Sequence, residues 1–285
     1  MIDFRASAPV PGSLDVQWHA GWPSPKHDPA PEIQVHAYSE HTVILRQNKS
    51  VHFEAPFLFL LYGNERALLL DTGATADPAH FPLRATVDGL IERRLAAHPR
   101  STSQEEYGLV VAHTHGHGDH IAGDPQFADR PHTETVGPSL PEVKDFFGLE
   151  EWPDGRAELD LGGRVLDVLP GPGHQDAAVV FHDRHTGLLL TGDSLYPGRL
   201  YVEDTAAFTA TVDRLLDFCG TTPITHVLGC HIEMTTTPDE DYPRGTTHQP
   251  DEPPLQLTTD HLRRLRKALT ARESRCGDFT VVYRD

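Results

Sequence analysis

The sequence predicts an α+β fold, on three observations. Apolar runs of strand length recur through both halves of the chain, and several end in a glycine-containing turn. Each strand-rich half is followed by a stretch with helical spacing of its apolar residues. The length, 285 residues, is enough for one large domain with a well-buried core.

Taken in order, residues 1–31 hold many of the prolines and read as an irregular arm, leaving 32–285 as a single domain. Residues 42–45 (Thr-Val-Ile-Leu) and Phe57–Tyr62 read as strands, with Gly63-Asn64 as a hairpin turn. Leu83, Val87, Leu90, Ile91 and Leu95 recur at helical spacing, so a helix is expected over Leu83–Ala97, with Pro99 just beyond its end. Residues 108–193 read as strands and loops. A second helix fits 206–219, where Phe208, Val212, Leu215, Leu216 and Phe218 form a stripe for core packing. The stretch 235–254 is rich in proline, threonine and acidic residues and predicts a long loop. It starts just after His231, so it either folds over a functional site or makes a surface excursion. A last helix, Thr259–Ala271, and a strand at 279–283 end the chain.

Residues 113–120, His-Thr-His-Gly-His-Gly-Asp-His, place four histidines and one aspartate directly after the apolar run 108–112. Imidazole and carboxylate are the groups that hold Zn, Fe or Mn. Two registers are open: one starts at the pair His113/His115, the other at His115/His117. The second supplies Asp119 and His120 in the pattern H-x-H-x-D-H, and Gly116 and Gly118 permit the bends such crowding needs. We take that register, which leaves His113 as a supporting residue at the end of a strand. A solvated histidine tract is disfavoured because the run is internal and follows a buried-looking strand. Three further apolar runs also end in ligand-type side chains, namely 166–174 at His174, 187–193 at Asp193 and 224–231 at His231.

With these motifs, residues 57–231 resemble the metallo-β-lactamase superfamily, and within it the glyoxalase II-like, two-metal hydrolases. The resemblance implies a four-layer αββα sandwich with the metal site at the shared edge of its two sheets. It implies that His115, His117 and His174 hold a first metal, that Asp119, His120 and His231 hold a second, and that Asp193 bridges them. Two divalent ions are thus expected, zinc first, with iron and manganese as alternatives. The Asp71-Thr72-Gly73 turn also matches the family, which gives Asp71 an orienting role rather than a place among the ligands. Cys230 beside His231 is expected to be a core thiol, because strand neighbours point to opposite faces. The C-terminal tail departs from glyoxalase II proper, which has a larger helical domain that helps bind glutathione. That departure argues against a glutathione thioester as substrate.

A formal net charge of -18 disfavours a polyanionic partner, and with it the nucleases of this superfamily. The cluster of basic residues at 263–267 reads as one face of the last helix. The N-terminus has no signal-like apolar stretch and no run approaches a membrane span, so a cytoplasmic protein without a membrane partner is expected. Cys219, Cys230 and Cys276 are an odd count without close spacing, so no disulfide framework is expected. The partner is then a small-molecule substrate, and a homodimer is left open.

The implied chemistry is hydrolysis: a water bridging two metals is deprotonated near neutral pH and attacks an ester, thioester or lactone carbonyl. Asp119 would ligate metal and orient the nucleophile. Tyr196, at the offset where the superfamily's lactonases place a tyrosine, is the candidate oxyanion donor, with an aromatic wall as its other role. Arg199 is expected on a solvated turn rather than against a substrate carboxylate. β-Lactam hydrolysis is an alternative, weakened because the main zinc β-lactamases carry cysteine where Asp193 stands. The other alternative is redox, a mononuclear iron dioxygenase acting on persulfides, which needs a subset of the same ligands. Diiron reductases are excluded by His117, where they carry glutamate, and by the lack of a flavin module. A metal-bound but non-catalytic binding module is disfavoured because no ligand position is lost.

Overall fold

A computed structural model describes residues 1–5, 8–98 and 106–285. Pro99, expected to stop the first helix, lies outside the described residues. The first sheet has six strands in spatial order β1 (Ile33–Ser39), β2 (Thr42–Gln47), β3 (Phe57–Tyr62), β4 (Arg66–Leu70), β5 (Gly108–Ala112) and β6 (Thr133–Thr135). Its first four strands are antiparallel neighbours, whereas β4, β5 and β6 run parallel. The second sheet contains β7 (Ala157–Asp160), β8 (Val165–Pro170), β9 (Val179–Asp183), β10 (Leu188–Gly192) and β12 (His226–Gly229), in spatial order β12-β10-β9-β8-β7. A small parallel pair joins β11 (Arg199–Val202) to β13 (Thr280–Tyr283).

The apolar residues sort into three layers of packing. Phe57, Phe59, Leu61, Leu68 and Val110 from the first sheet meet Leu166, Val168, Phe181 and Leu190 from the second in the central layer. Leu58, Leu60 and Leu69, on the opposite face of the first sheet, pack against Leu83, Val87 and Ile91 of α1 (Leu83–Ala97). Val180, Leu189 and Val227, on the outer face of the second, pack against α4 (Thr205–Thr221) and α5 (Thr259–Ala271). Strands buried on both faces explain why β3 and β10 read as continuous apolar runs rather than alternating ones. The result is the αββα sandwich.

The helices at Leu83–Ala97 and Thr259–Ala271 have the bounds their spacing predicts, and the expected 206–219 helix extends to Thr205–Thr221. Asp204 caps that helix by accepting from the Ala207 N–H at 2.9 Å. The stretch 108–193 is not only strands and loops. It contains a short helix, α2 (Gly118–Ile121), and an eight-residue helix, α3 (Leu140–Phe147). Ser139 and Glu142 form a capping box at the start of α3, and Gly148 closes it in the left-handed conformation, φ 70°.

The arm before β1 lies along the body of the fold. Val10 N–H donates to the His185 carbonyl and Ser13 N–H to the Tyr38 carbonyl, each at 2.8 Å. The loop at 235–254 is held as well. Glu252 accepts from both terminal nitrogens of the buried Arg46 at 2.7 Å, with the Lys49 ammonium 3.4 Å away. Gln249 N–H donates to the Ala20 carbonyl. One end of the loop is therefore fastened to β2 and the arm, while Arg244 near its middle reaches the rim of the cleft described below.

A second buried ion pair stitches the two sheets together. Arg164, fully buried, donates to both oxygens of Asp183, at 3.1 and 2.5 Å, to Thr42 Oγ1 at 2.6 Å and to the Tyr62 carbonyl at 3.1 Å. Burial opposes ionisation of Asp183, but the guanidinium outweighs it and holds the carboxyl below its usual range. Asp183→Ala leaves that guanidinium buried without its counter-charge and is expected to cost about 3–5 kcal/mol in chemical denaturation.

Candidate functional site

The strand directions place the ligand-type residues together. β8 and β10 are both antiparallel to β9, and β12 is parallel to β10, so all three point the same way. Their C-terminal ends deliver His174, Asp193 and His231 to one edge of the second sheet. β4 and β5 are parallel, with Leu70 opposite Ala112, so Asp71 and the 113–120 loop leave the first sheet side by side. The two edges are tied by Val179 N–H donating to the Thr114 carbonyl and Phe57 N–H to the Cys230 carbonyl, each at 2.8 Å. The turn to His174 needs Gly173. Its φ is 129°, and a Cβ there would sit 2.4 Å from the Phe208 backbone.

The expected ligands converge as two sets, His115, His117 and His174, and Asp119, His120, Asp193 and His231. In the first set, His115 Nε2 lies 2.9 Å from His117 Nδ1, while His174 Nε2 is 3.2 Å from the former and 3.1 Å from the latter. His174 Nδ1 lies 2.8 Å from the Tyr201 carbonyl, which accepts a hydrogen bond from it. Its Nε2 therefore faces two other imidazole nitrogens. Such a cluster is repulsive alone, but the spacing is near the about 3.3 Å that separates nitrogens around a tetrahedral cation. Burial, and after it the neighbouring His120, pushes the His115 pKa well down, which keeps that ring a neutral donor.

Asp193 stands between the sets. Its Oδ2 is 3.7 Å from His174 Nε2 and 4.0 Å from His115 Nε2, whereas Oδ1 is 3.4 Å from His231 Nε2 and 3.6 Å from His120 Nε2. Asp119 Oδ2 completes the second set, 3.3 Å from His231 Nε2 and 3.5 Å from His120 Nε2. His120 Nε2 and Asp193 Oδ1 are buried and have no hydrogen-bond partner among the described residues. Buried polar atoms of this kind call for an ion or a proton between them. Burial opposes charge on His231, yet Asp193 and Asp119 outweigh it and raise its pKa to about 9. The same imidazoles hold both carboxyls well below their usual range against the effect of burial. Cation binding here thus displaces protons, and these residues fit a pair of divalent ions.

Around this set lies a frame of hydrogen bonds. Asp71, fully buried, accepts from Thr114 N–H at 2.7 Å and Thr114 Oγ1 at 3.0 Å, and its Oδ2 is 3.0 Å from His120 Nδ1. It thereby orients His120 and the loop through the Nδ1 side of the ring. Cys230 packs in the central layer with its thiol 3.3 Å from Asp71 Oδ2, and burial pushes its pKa up, so it is inert. His113 lies with Nδ1 3.2 Å from the His120 carbonyl and Nε2 3.2 Å from Asp124 Oδ2. It buttresses the loop.

One expectation changes. Arg199 is not on a solvated turn. Its guanidinium pairs with Glu233 at 2.7 Å and Asp241 at 2.5 Å and donates to the Tyr242 carbonyl, with its side chain 12% exposed. The pairs tie β11 to the segment after His231, a link between residues far apart in sequence. Tyr196 packs its ring on His231, centroids 5.4 Å apart, while its hydroxyl donates to the Arg199 carbonyl at 2.5 Å. The hydroxyl is thus already engaged. The cleft beside the ligands has a volume of about 290 Å³, and His117 and Asp119 are its accessible ligands. Glu54, Glu203, Glu233, Arg244 and Arg284 also line it. These were missed because single charged residues outside a motif carry no signal of a shared site. For Glu233, its position two residues after a ligand was the available clue.

Among the described residues, no helix is long and apolar enough to cross a membrane. The chain is 28% identical over 179 residues to a hydroxyacylglutathione hydrolase of Aeromonas salmonicida, covering 60% of this chain and 66% of that protein. For its counterpart in Rhizobium meliloti the identity is 26%, covering 54% and 62%. The chain thus spans less than two thirds of the length of either relative. An acyl-coenzyme A thioesterase of Gallus gallus is 24% identical, over 62% of this chain and 72% of that one. In structure, the chain is similar to a metallo-β-lactamase from Pontibacter korlensis, with a TM-score of 0.54 at 17% identity, covering 84% of this chain and 99% of that one. The model of the metallo-β-lactamase superfamily matches residues 54–272, and with that match and this edge-mounted ligand set the chain belongs to the metallo-β-lactamase superfamily.

Proposed function

We propose that the protein is a metal-dependent hydrolase of thioesters, with esters and lactones as related acyl substrates. One observation carries the reading: Asp193 turns one oxygen to each of two ligand sets. His115, His117 and His174 would hold one divalent cation, Asp119, His120 and His231 would hold the other, and Asp193 would serve both sets. The histidine-rich donors favour zinc. Such ions, when bound, would lower the pKa of water toward neutrality and polarise an acyl carbonyl. Asp119, partly open to the cleft, would orient the nucleophile as well as ligate metal. The likeness to hydroxyacylglutathione hydrolases and to an acyl-coenzyme A thioesterase supports thioesters among the acyl compounds.

The metal-loaded protein is expected to hydrolyse thioesters in a panel that also holds lactones, β-lactams and phosphodiesters, and to lose this activity to a chelator. One iron per chain with oxygen consumption, and no hydrolysis, would replace the reading with a dioxygenase. Because the Tyr196 hydroxyl is engaged by the Arg199 carbonyl, Tyr196→Phe is expected to keep kcat within about three-fold. A drop of about 10²–10³-fold, the size of an oxyanion-donor loss, would place that hydroxyl on the reacting oxygen instead.

A further inference from the structure

On another part of the surface, the turn between β1 and β2 brings Glu40 and His41 to the C-terminal end of α1, where His98 caps the helix. The Glu40 carboxylate places Oε1 2.8 Å from His98 Nε2 and Oε2 3.7 Å from His41 Nε2. The two rings stand 5.5 Å apart between centroids, and one donor atom from each of the three residues lies within 4.8 Å of the others. His41 is nearly buried, its side chain 10% exposed, while Glu40 is open to solvent at 66%. Two imidazole nitrogens and a carboxylate oxygen gathered this closely are the donors that borderline divalent cations take, and the solvent side leaves room for water as a fourth ligand.

We propose that Glu40, His41 and His98 form a separate zinc-class site that clamps the end of α1 to the β1–β2 turn. It shares no residue with the cleft. Burial, and then the nearby Arg94 guanidinium, push the His41 pKa down to about 4, so its ring is neutral at neutral pH. The same guanidinium, 5.7 Å from the centre of the Tyr62 ring, opposes a cation, and the Glu40 charge offsets it. Without a cation these atoms make an ordinary histidine–carboxylate contact between His98 and Glu40, which is the outcome to be separated.

The test titrates the full chain, its cleft metals in place, with Zn²⁺. Bound equivalents are counted by elemental analysis after desalting, and thermal unfolding is followed in parallel. The wild type is expected to take up one equivalent more than His98→Ala and to gain a zinc-dependent rise in Tm that the variant lacks. The variant's residual affinity should be more than about ten-fold weaker. Glu40→Gln, which keeps the shape and removes the charge, should match His98→Ala, with hydrolysis unchanged in both. His117→Ala should retain the extra equivalent. Equal uptake and equal Tm response in the wild type and both surface variants would overturn the proposal and leave the ion pair alone.

Discussion

Asp193→Ala is expected to lower bound metal to less than half and to reduce hydrolysis by at least about a thousand-fold. The reason is its position: Oδ2 faces His174 and His115 while Oδ1 faces His231 and His120, so one substitution opens both ligand sets. Loss of metal-based stabilisation of the transition state is worth several kcal/mol, and each 1.36 kcal/mol is about a factor of ten. His117→Ala makes the matched comparison, because its ring belongs to the first set alone. That variant should lose about one ion per chain and the hydrolytic activity with it. Elemental analysis and thioester turnover on the same samples check both. Full activity in either variant would show that the centre lies elsewhere.

The second large effect falls on a residue outside the two ligand sets. Asp71 accepts from the Thr114 backbone and hydroxyl, faces His120 Nδ1 and lies within reach of the Cys230 thiol, all with no solvent exposure. Asp71→Ala leaves two donors from Thr114 and one from His120 buried without an acceptor, at about 1–3 kcal/mol each. A total of about 3–5 kcal/mol is expected, because the site can relax and such terms do not add. The 113–120 loop then loses its anchor, and metal affinity should fall by about 10–100-fold. Denaturant unfolding and metal titration read the two effects separately. Asp71→Asn, which keeps an acceptor for Thr114, should recover most of the stability.

The parts of this fold that were legible in the sequence are those whose signal is local. Leu83, Val87 and Ile91 announce α1 because a helix buried on one face repeats at that interval, and the same holds for α5. The clustering of the candidate ligands was legible because strand ends and turns are written in consecutive residues. α3 was not, since eight residues give scarcely two turns of periodicity. Its signature was present at the ends instead, as Ser139 three residues before Glu142, Pro141 in the first turn and Gly148 after the last. The partners of Arg199 were out of reach for a different reason. Glu233 and Asp241 stand 34 and 42 residues further on, and a charge carries no mark of the one it will meet. Tyr196 shows a third limit: its place in the cleft follows from its offset, but the direction of its hydroxyl follows from β11, whose position is tertiary.

The ligands come from both sheets: His115, His117, Asp119 and His120 follow β5, while His174, Asp193 and His231 follow β8, β10 and β12. Any ion held among them is therefore a rivet across the seam of the sandwich. The folded state binds it and the separated sheets cannot, so each hundred-fold excess of free ion over its dissociation constant adds about 2.7 kcal/mol to apparent stability. The melting temperature of this protein should accordingly behave as a meter of metal supply. A chelator would loosen the two halves of the molecule at the same concentration at which it silences the cleft.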